Sequence, residues 1–135
     1  MHLSRRSAVT IIATLSSAQI RAVEALIKEP TFMYGLIGKM KCTPGQRDAL
    51  AAILIEGVAG MPGCLSYVVA RDPTDADALW ITEAWINQDS HKASLSLPSV
   101  QQAIAKGRPL ITGFGDRYET QPIGGHGLVP PRSAA

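Results

Sequence analysis

The stretch Leu79-Trp80-Ile81-Thr82-Glu83-Ala84-Trp85 alternates large apolar side chains and runs with almost no linker into Asn87-Gln88-Asp89-Ser90-His91. A period of two marks a strand with one buried face. A polar run led by Asn or Asp marks a helix start. Both tryptophans and one of the three histidines fall within a dozen residues here. The strand-to-helix junction is therefore the place in this sequence where chemistry is to be sought.

The 135 residues suffice for one domain of ordinary size, and 46% hydrophobic residues can fill its core. The net charge is +2, with Lys and Arg scattered rather than clustered. That excludes nucleic acid as the main partner. No apolar run reaches the length of a bilayer span, so a membrane partner is not expected. Cys42 and Cys64 form neither a C-x-x-C motif nor a disulfide framework, and His2, His91 and His126 lack clustered carboxylates, so no metal is expected.

Residues 34–42 alternate around Tyr34, Leu36, Gly38 and Met40 and read as a strand. Thr43-Pro44-Gly45-Gln46 then reads as a helix start with a capping box. Leu50, Ile53, Leu54, Val58 and Met61 follow at helical spacing, and the helix should stop at Gly60 or by Pro62-Gly63. Residues 64–71 form a second strand, joined through the Asp72-Pro73-Thr74-Asp75-Ala76-Asp77 turn to 79–85 as an antiparallel hairpin. A second helix, capped by Asn87 or Asp89, carries His91 and Leu95 on one face and breaks or restarts at Pro98. Val100, Ala103 and Ile104 continue its apolar stripe. Gly113 and Gly115 release the chain into a last strand near 116–121.

Two β-α-β units of this kind predict an α+β fold of ferredoxin-like type, β-α-β-β-α-β, with an antiparallel four-stranded sheet and both helices on one face. The other sheet face is left with nothing to cover it, which predicts a homodimer, a dimeric α/β barrel. The topology puts Cys42 and Cys64 at opposite ends of the sheet, as free thiols that are buried or half-buried.

Three readings fit residues 1–32: an N-terminal extension, a start that truly falls at Met33, or an export signal built on Arg5-Arg6 with Ser16 and Ala18 at the cleavage positions. The first two place the protein in the cytoplasm; the third exports it. Residues 19–28 carry a helical apolar repeat. Residues 122–135, with Gly124-Gly125-His126-Gly127 and Pro130-Pro131, form a tail that holds no helix or central strand.

From Met33 to about residue 121 the chain resembles the antibiotic biosynthesis monooxygenase family, including its quinol monooxygenase-like members. The resemblance lies in Tyr34-Gly35-Leu36-Ile37-Gly38-Lys39, Pro44-Gly45-Gln46-Arg47, Met61-Pro62-Gly63-Cys64, Glu83-Ala84-Trp85, His91 and Leu97-Pro98-Ser99-Val100. It implies a dimeric ferredoxin-like domain that oxidises an aromatic substrate with molecular oxygen and uses no cofactor. Many members carry a histidine nine residues after the tryptophan matched by Trp85. That position is Ser94 here, and His91 sits one helical turn earlier on roughly the same face. Trp85 and His91 do not reproduce the arrangement of haem-degrading relatives.

The resemblance makes His91 the candidate base, since an imidazole titrates near neutrality. Trp85 and Tyr67 are the expected aromatic wall. Glu83 shares a strand face with Trp85, so burial would require it to be paired or protonated; a cross-strand ion pair at the sheet edge is its other reading. Tyr34 and Tyr118 are candidates for hydroxyls in a substrate cavity. The function implied is a cofactor-independent monooxygenase acting on a quinol or polyketide-like phenol. An isomerase or decarboxylase of a small carbonyl compound and a non-catalytic binding dimer are the alternatives, the latter requiring a closed core around an unperturbed His91.

Overall fold

In a computed structural model, residues 14–27 and 32–128 are described. Two units divide the chain, residues 1–30 and residues 31–135. The described part of the first is helix α1 (Ser17–Ile27). Ser16 caps it: the Ser16 Oγ accepts from the Gln19 amide at 3.2 Å, and the Gln19 Oε1 accepts from the Ser16 amide at 2.9 Å. Two free amides of the first turn are thereby satisfied. The paired arginines of the signal reading lie outside the described residues.

The second unit runs β1 (Tyr34–Cys42), α2 (Arg47–Gly57), β2 (Cys64–Arg71), β3 (Ala78–Trp85), α3 (Gln88–Ser94), α4 (Pro98–Gly107), a 3-10 turn (Arg108–Leu110) and β4 (Ile111–Thr120). The strands form one antiparallel sheet in the order β2-β3-β1-β4. This is the ferredoxin-like arrangement expected from the sequence. Among the described residues no helix is long and apolar enough to cross a membrane.

Cross-strand partners share a face, and the register sorts the side chains. Tyr34, Leu36, Gly38 and Met40 of β1 stand opposite Trp85, Glu83, Ile81 and Leu79 of β3. These define the inner face, over which the helices pack. Leu50, Leu79 and Trp85 are its largest fully buried side chains. Two clusters fill it, one around Tyr34, Leu36, Met61, Trp85 and Val100, the other around Cys42, Leu50, Leu79 and Ile81. Ile37, Lys39 and Trp80 belong to the outer face, with Val68 and Tyr118 exposed there. Also on that side, Asp72 accepts from the Trp80 indole at 2.8 Å, from the Thr74 amide at 2.8 Å and pairs with Lys39 at 3.2 Å, tying the β2–β3 turn to the sheet.

Three local expectations are corrected. The capping box at Thr43 does not form: Gly45 has φ +81, and the Gln46 amide donates to the Thr43 carbonyl at 3.0 Å. Pro44-Gly45 therefore makes a turn of the Pro-then-Gly kind, and α2 begins at Arg47 with Gln46 in front of it, without a side-chain cap. The same helix ends at Gly57 rather than Gly60. The last strand begins at Ile111, so Gly113 and Gly115 lie inside it. Register shifts between Gly38 and Met40 and between Lys41 and Cys42 mark bulges opposite this part of β4, and an edge strand with bulges tolerates glycine. The cysteines agree with expectation: both are free, and the register puts them at opposite ends of the sheet.

Gly63 fixes the junction into α3. Its φ is +79, its carbonyl accepts from the Ile86 amide at 2.9 Å, and a Cβ there would lie 2.7 Å from the Ser90 Cβ. Gly60 has a similar φ of +72 but open space around it. Gly60→Ala is expected to cost about 1–2 kcal/mol, the backbone strain alone. Gly63→Ala is expected to cost more and to displace α3, which carries His91. Urea unfolding of the two variants checks the difference; equal losses would contradict the close approach.

Candidate functional site

Asn87 leaves the end of β3 in an extended conformation, and its side chain accepts from the Ser90 amide at 2.8 Å. This cap starts α3 one turn ahead of His91. The imidazole is thereby lowered onto the inner face beside the end of β3. Its ring lies 5.5 Å from that of Trp85, edge-on, and 5.4 Å from that of Tyr34. The Ser94 hydroxyl, buried, donates to the His91 carbonyl at 2.6 Å and so holds the α3 backbone rather than the imidazole.

Glu83 is the unusual group. It sits on the inner face of a central strand, flanked by Leu36 and Tyr67. The Trp85 indole donates to its Oε1 at 3.1 Å, and the His91 Nε2 lies 4.0 Å from the same oxygen. That separation is too long for a hydrogen bond but close enough for charge to matter. Burial raises the Glu83 carboxyl above its usual range, while the Trp85 hydrogen bond and the Arg117 charge pull it down. Burial lowers His91 below 6.5; Arg117 acts in the same direction, and Glu119 opposes. The imidazole is therefore neutral at pH 7, the form that accepts a proton. The edge ion pair anticipated for Glu83 is not made.

Beside this pair lies a cavity of about 630 Å³ between sheet and helices. Tyr67, Glu83, Trp85 and His91 line one end, with Ser94. The remaining wall is largely apolar and includes Met40, Leu50, Leu54, Val58, Met61 and Val100. Leu95, Ile104 and Phe114 also line it and are exposed, Phe114 at 73%, so they form its mouth. The volume falls within the range of small-molecule sites, and an apolar wall with a few converging polar groups is their usual composition. Among the described residues no group of three or more His, Cys, Asp or Glu could hold a metal ion.

The structure brings together four of the six residues singled out in the sequence. Tyr67 lines the cavity, and burial raises its phenol far above the ordinary value, so it stays protonated. Tyr34 stacks behind His91 without lining the cavity; burial, then the charge of Glu119, raises its phenol as well. Tyr118 is placed elsewhere: it stands opposite Ile37 on the outer face and is 55% exposed. The sequence places its aromatic ring inward because apolar groups usually face the core, but on β4 the inward positions belong to Arg117 and Glu119. Exposed His126 lies in the tail, away from the cavity lining.

Arg117 is the residue that the sequence reading missed. It stands opposite Gly38 on the inner face and lines a smaller cavity with Tyr67 and Glu83. A signal was present, since the Gly113 and Gly115 pair marks a strand whose alternation is interrupted.

Comparison with known proteins agrees with this architecture. The family model for antibiotic biosynthesis monooxygenases matches residues 33–106. No curated protein matches the sequence. A crystal structure from Chloroflexus aurantiacus, provisionally assigned as an antibiotic biosynthesis monooxygenase, is similar at 70% identity, covering 72% of this chain and 99% of its own, with a TM-score of 0.70. Proteins with the same provisional assignment from Caulobacter crescentus and Nitrosomonas europaea share 20% and 12% identity. They cover 76% and 74% of this chain and 99% and 97% of their own, with TM-scores of 0.63 and 0.60, a likeness of fold.

The site predicts its own titration. In an NMR pH titration the His91 imidazole is expected to have its midpoint below 6.5, and Arg117→Gln is expected to move that midpoint upward by removing a positive charge. A wild-type midpoint at or above 6.5 would contradict the burial of the ring.

Proposed function

The chain belongs to the antibiotic biosynthesis monooxygenase family, and on that premise we propose that it oxidises a quinol or polyketide-like phenol with molecular oxygen, without a cofactor, and that His91 is the base. One observation carries this reading: the His91 imidazole and the Glu83 carboxyl lie 4.0 Å apart at the wall of an apolar cavity large enough for an aromatic ligand.

The chemistry follows from that setting. A phenol becomes a reductant when its hydroxyl proton leaves. The His91 Nε2 takes the proton, and the imidazolium that forms faces the Glu83 oxygen 4.0 Å away. Burial disfavours the charged imidazole before transfer, and the carboxylate offsets that penalty after it. The phenolate passes one electron to oxygen. The resulting radical pair combines through a new carbon–oxygen bond, and the peroxide anion recovers the proton from His91. Loss of water then leaves a quinone carbonyl, so one oxygen atom ends in product and the other in water. Tyr67 and Trp85 wall the ring, and the apolar lining keeps bulk water from the charged intermediates.

We further infer that two copies meet over the outer sheet face. Val68 and Tyr118 are exposed there, which a lone sheet of this kind does not stabilise. In light scattering the protein is expected to have twice the mass of one chain, and Val68→Glu is expected to reduce it to one. A monomeric wild type would dismiss the pairing.

Oxygen consumption with a panel of hydroquinones and anthrones tests the activity. His91→Ala is expected to lower turnover by about 10²–10⁴-fold, the usual worth of a positioned base. Undiminished oxygen uptake in that variant would remove His91 from the mechanism.

A further inference from the structure

Beside the main cavity lies a smaller one of about 180 Å³, and the two share Met40, Tyr67, Glu83 and Phe114 as common walls. Its floor is Gly38, on the inner face of the central strand β1 between Ile81 of β3 and Arg117 of β4. A Cβ built on Gly38 meets nothing within 4 Å. The space above this glycine is therefore empty although the strand is central, and its backbone φ is not among the positive ones that demand glycine. Conformation does not explain the glycine; the space above it does.

The bulge in β4 supplies the other half of the compartment. Gly38 pairs with Arg117 and Met40 with Phe114, so two steps on β1 match three on β4. The extra residue puts Phe114 and Arg117 on the same face although they are three apart, against the alternation of a regular strand. Phe114 is thus the partition at the cavity mouth and Arg117 the head of the side compartment. The Arg117 Nη1 contacts the Glu119 Oε1 at 3.2 Å, an exposed pair, 59% and 53% accessible. Such pairs are weak and yield readily to a better ligand. The planar fork, which also interacts with the Tyr34 hydroxyl, carries further N–H donors in a geometry that suits a carboxylate.

We propose that this side compartment is an anion subsite: the substrate carries a carboxylate that enters over Gly38 and is held by the Arg117 guanidinium, while its ring lies in the main cavity. The proposal rests on the oxygenase reading only in placing the ring hydroxyl at His91. Glu83 stands between the compartments. Its raised carboxyl, bonded to the Trp85 indole, competes less for Arg117 than a free carboxylate would.

Calorimetric binding of a hydroxynaphthoate and of the matching naphthol, under nitrogen so that no turnover intervenes, tests the subsite. The wild type is expected to bind the acid about tenfold more tightly, the worth of one charge-assisted contact at a partly exposed site. Arg117→Gln is expected to bring that ratio to near one. Because Arg117 is exposed on an edge strand, its replacement leaves folding intact. Gly38→Val, whose Cβ meets no protein atom within 4 Å and whose methyls fill the floor, is expected to bring the ratio to near one as well. No preference for the acid in the wild type, or a preference that survives Arg117→Gln, overturns the subsite. A preference lost in both variants, in a protein that consumes no oxygen with any phenol, keeps the subsite and dismisses the oxygenase reading instead.

Discussion

The site depends on a carboxylate held on the wrong side of a sheet. Glu83 occupies an inner-face position between apolar neighbours, where a leucine or valine would close the core. A buried carboxylate without partners costs several kcal/mol, so the surrounding structure has to answer it. Trp85, two residues on and on the same face, answers with its indole N–H. The His91 ring, brought down by the Asn87 cap, lies 4.0 Å away in the helix layer, where a proton taken up would face the carboxylate. Helix and sheet thus meet at this end through a polar triad, with the 630 Å³ cavity beside it. The cluster of Cys42, Leu50, Leu79 and Ile81 packs the other end of the layer, and its Leu50 forms part of the cavity wall.

The arrangement also divides labour between the strands. β3 supplies the fixed groups, since it is paired on both sides and its backbone cannot shift without breaking two ladders. β4 lies at an edge and tolerates bulges, and it supplies Phe114 of the cavity mouth and Arg117, whose charge acts on both Glu83 and His91. Rigid chemistry on a central strand with adjustable recognition on an edge strand is a physically sensible distribution, because register errors in β4 leave the Glu83–His91 geometry untouched.

Much of this was legible in the residues. The bounds of β1 follow from period-two patterning and those of β2 from its β-rich run of Leu65, Tyr67, Val68 and Val69, and the Asn87 cap and the Pro98 restart follow from single-residue rules. Misreadings arose where two local rules competed. Thr43 and Gln46 have capping-box spacing, yet the intervening Pro44-Gly45 prefers a turn, and the turn wins. Ser16 and Gln19 have the same spacing with no such turn between them, and there the box forms. Arg117 was missed and Tyr118 misplaced because burial of apolar groups is the dominant rule and β4 turns a charged residue inward at the cavity. The resemblance to a family identified His91 as the candidate base; composition alone left it an ordinary helix residue, and only the register of β3 against α3 shows that it faces Glu83.

The two tryptophans offer the most direct test. The Trp85 indole touches Glu83 at the cavity, and the Trp80 indole touches Asp72 on the opposite sheet face. In proton–nitrogen NMR each gives its own indole signal. Titration with a naphthol under nitrogen is predicted to shift the Trp85 signal together with the His91 imidazole in a saturable way and to leave Trp80 in place. A saturable shift confined to Trp80, or none at all, would contradict a ring-binding cavity on the helix side of the sheet.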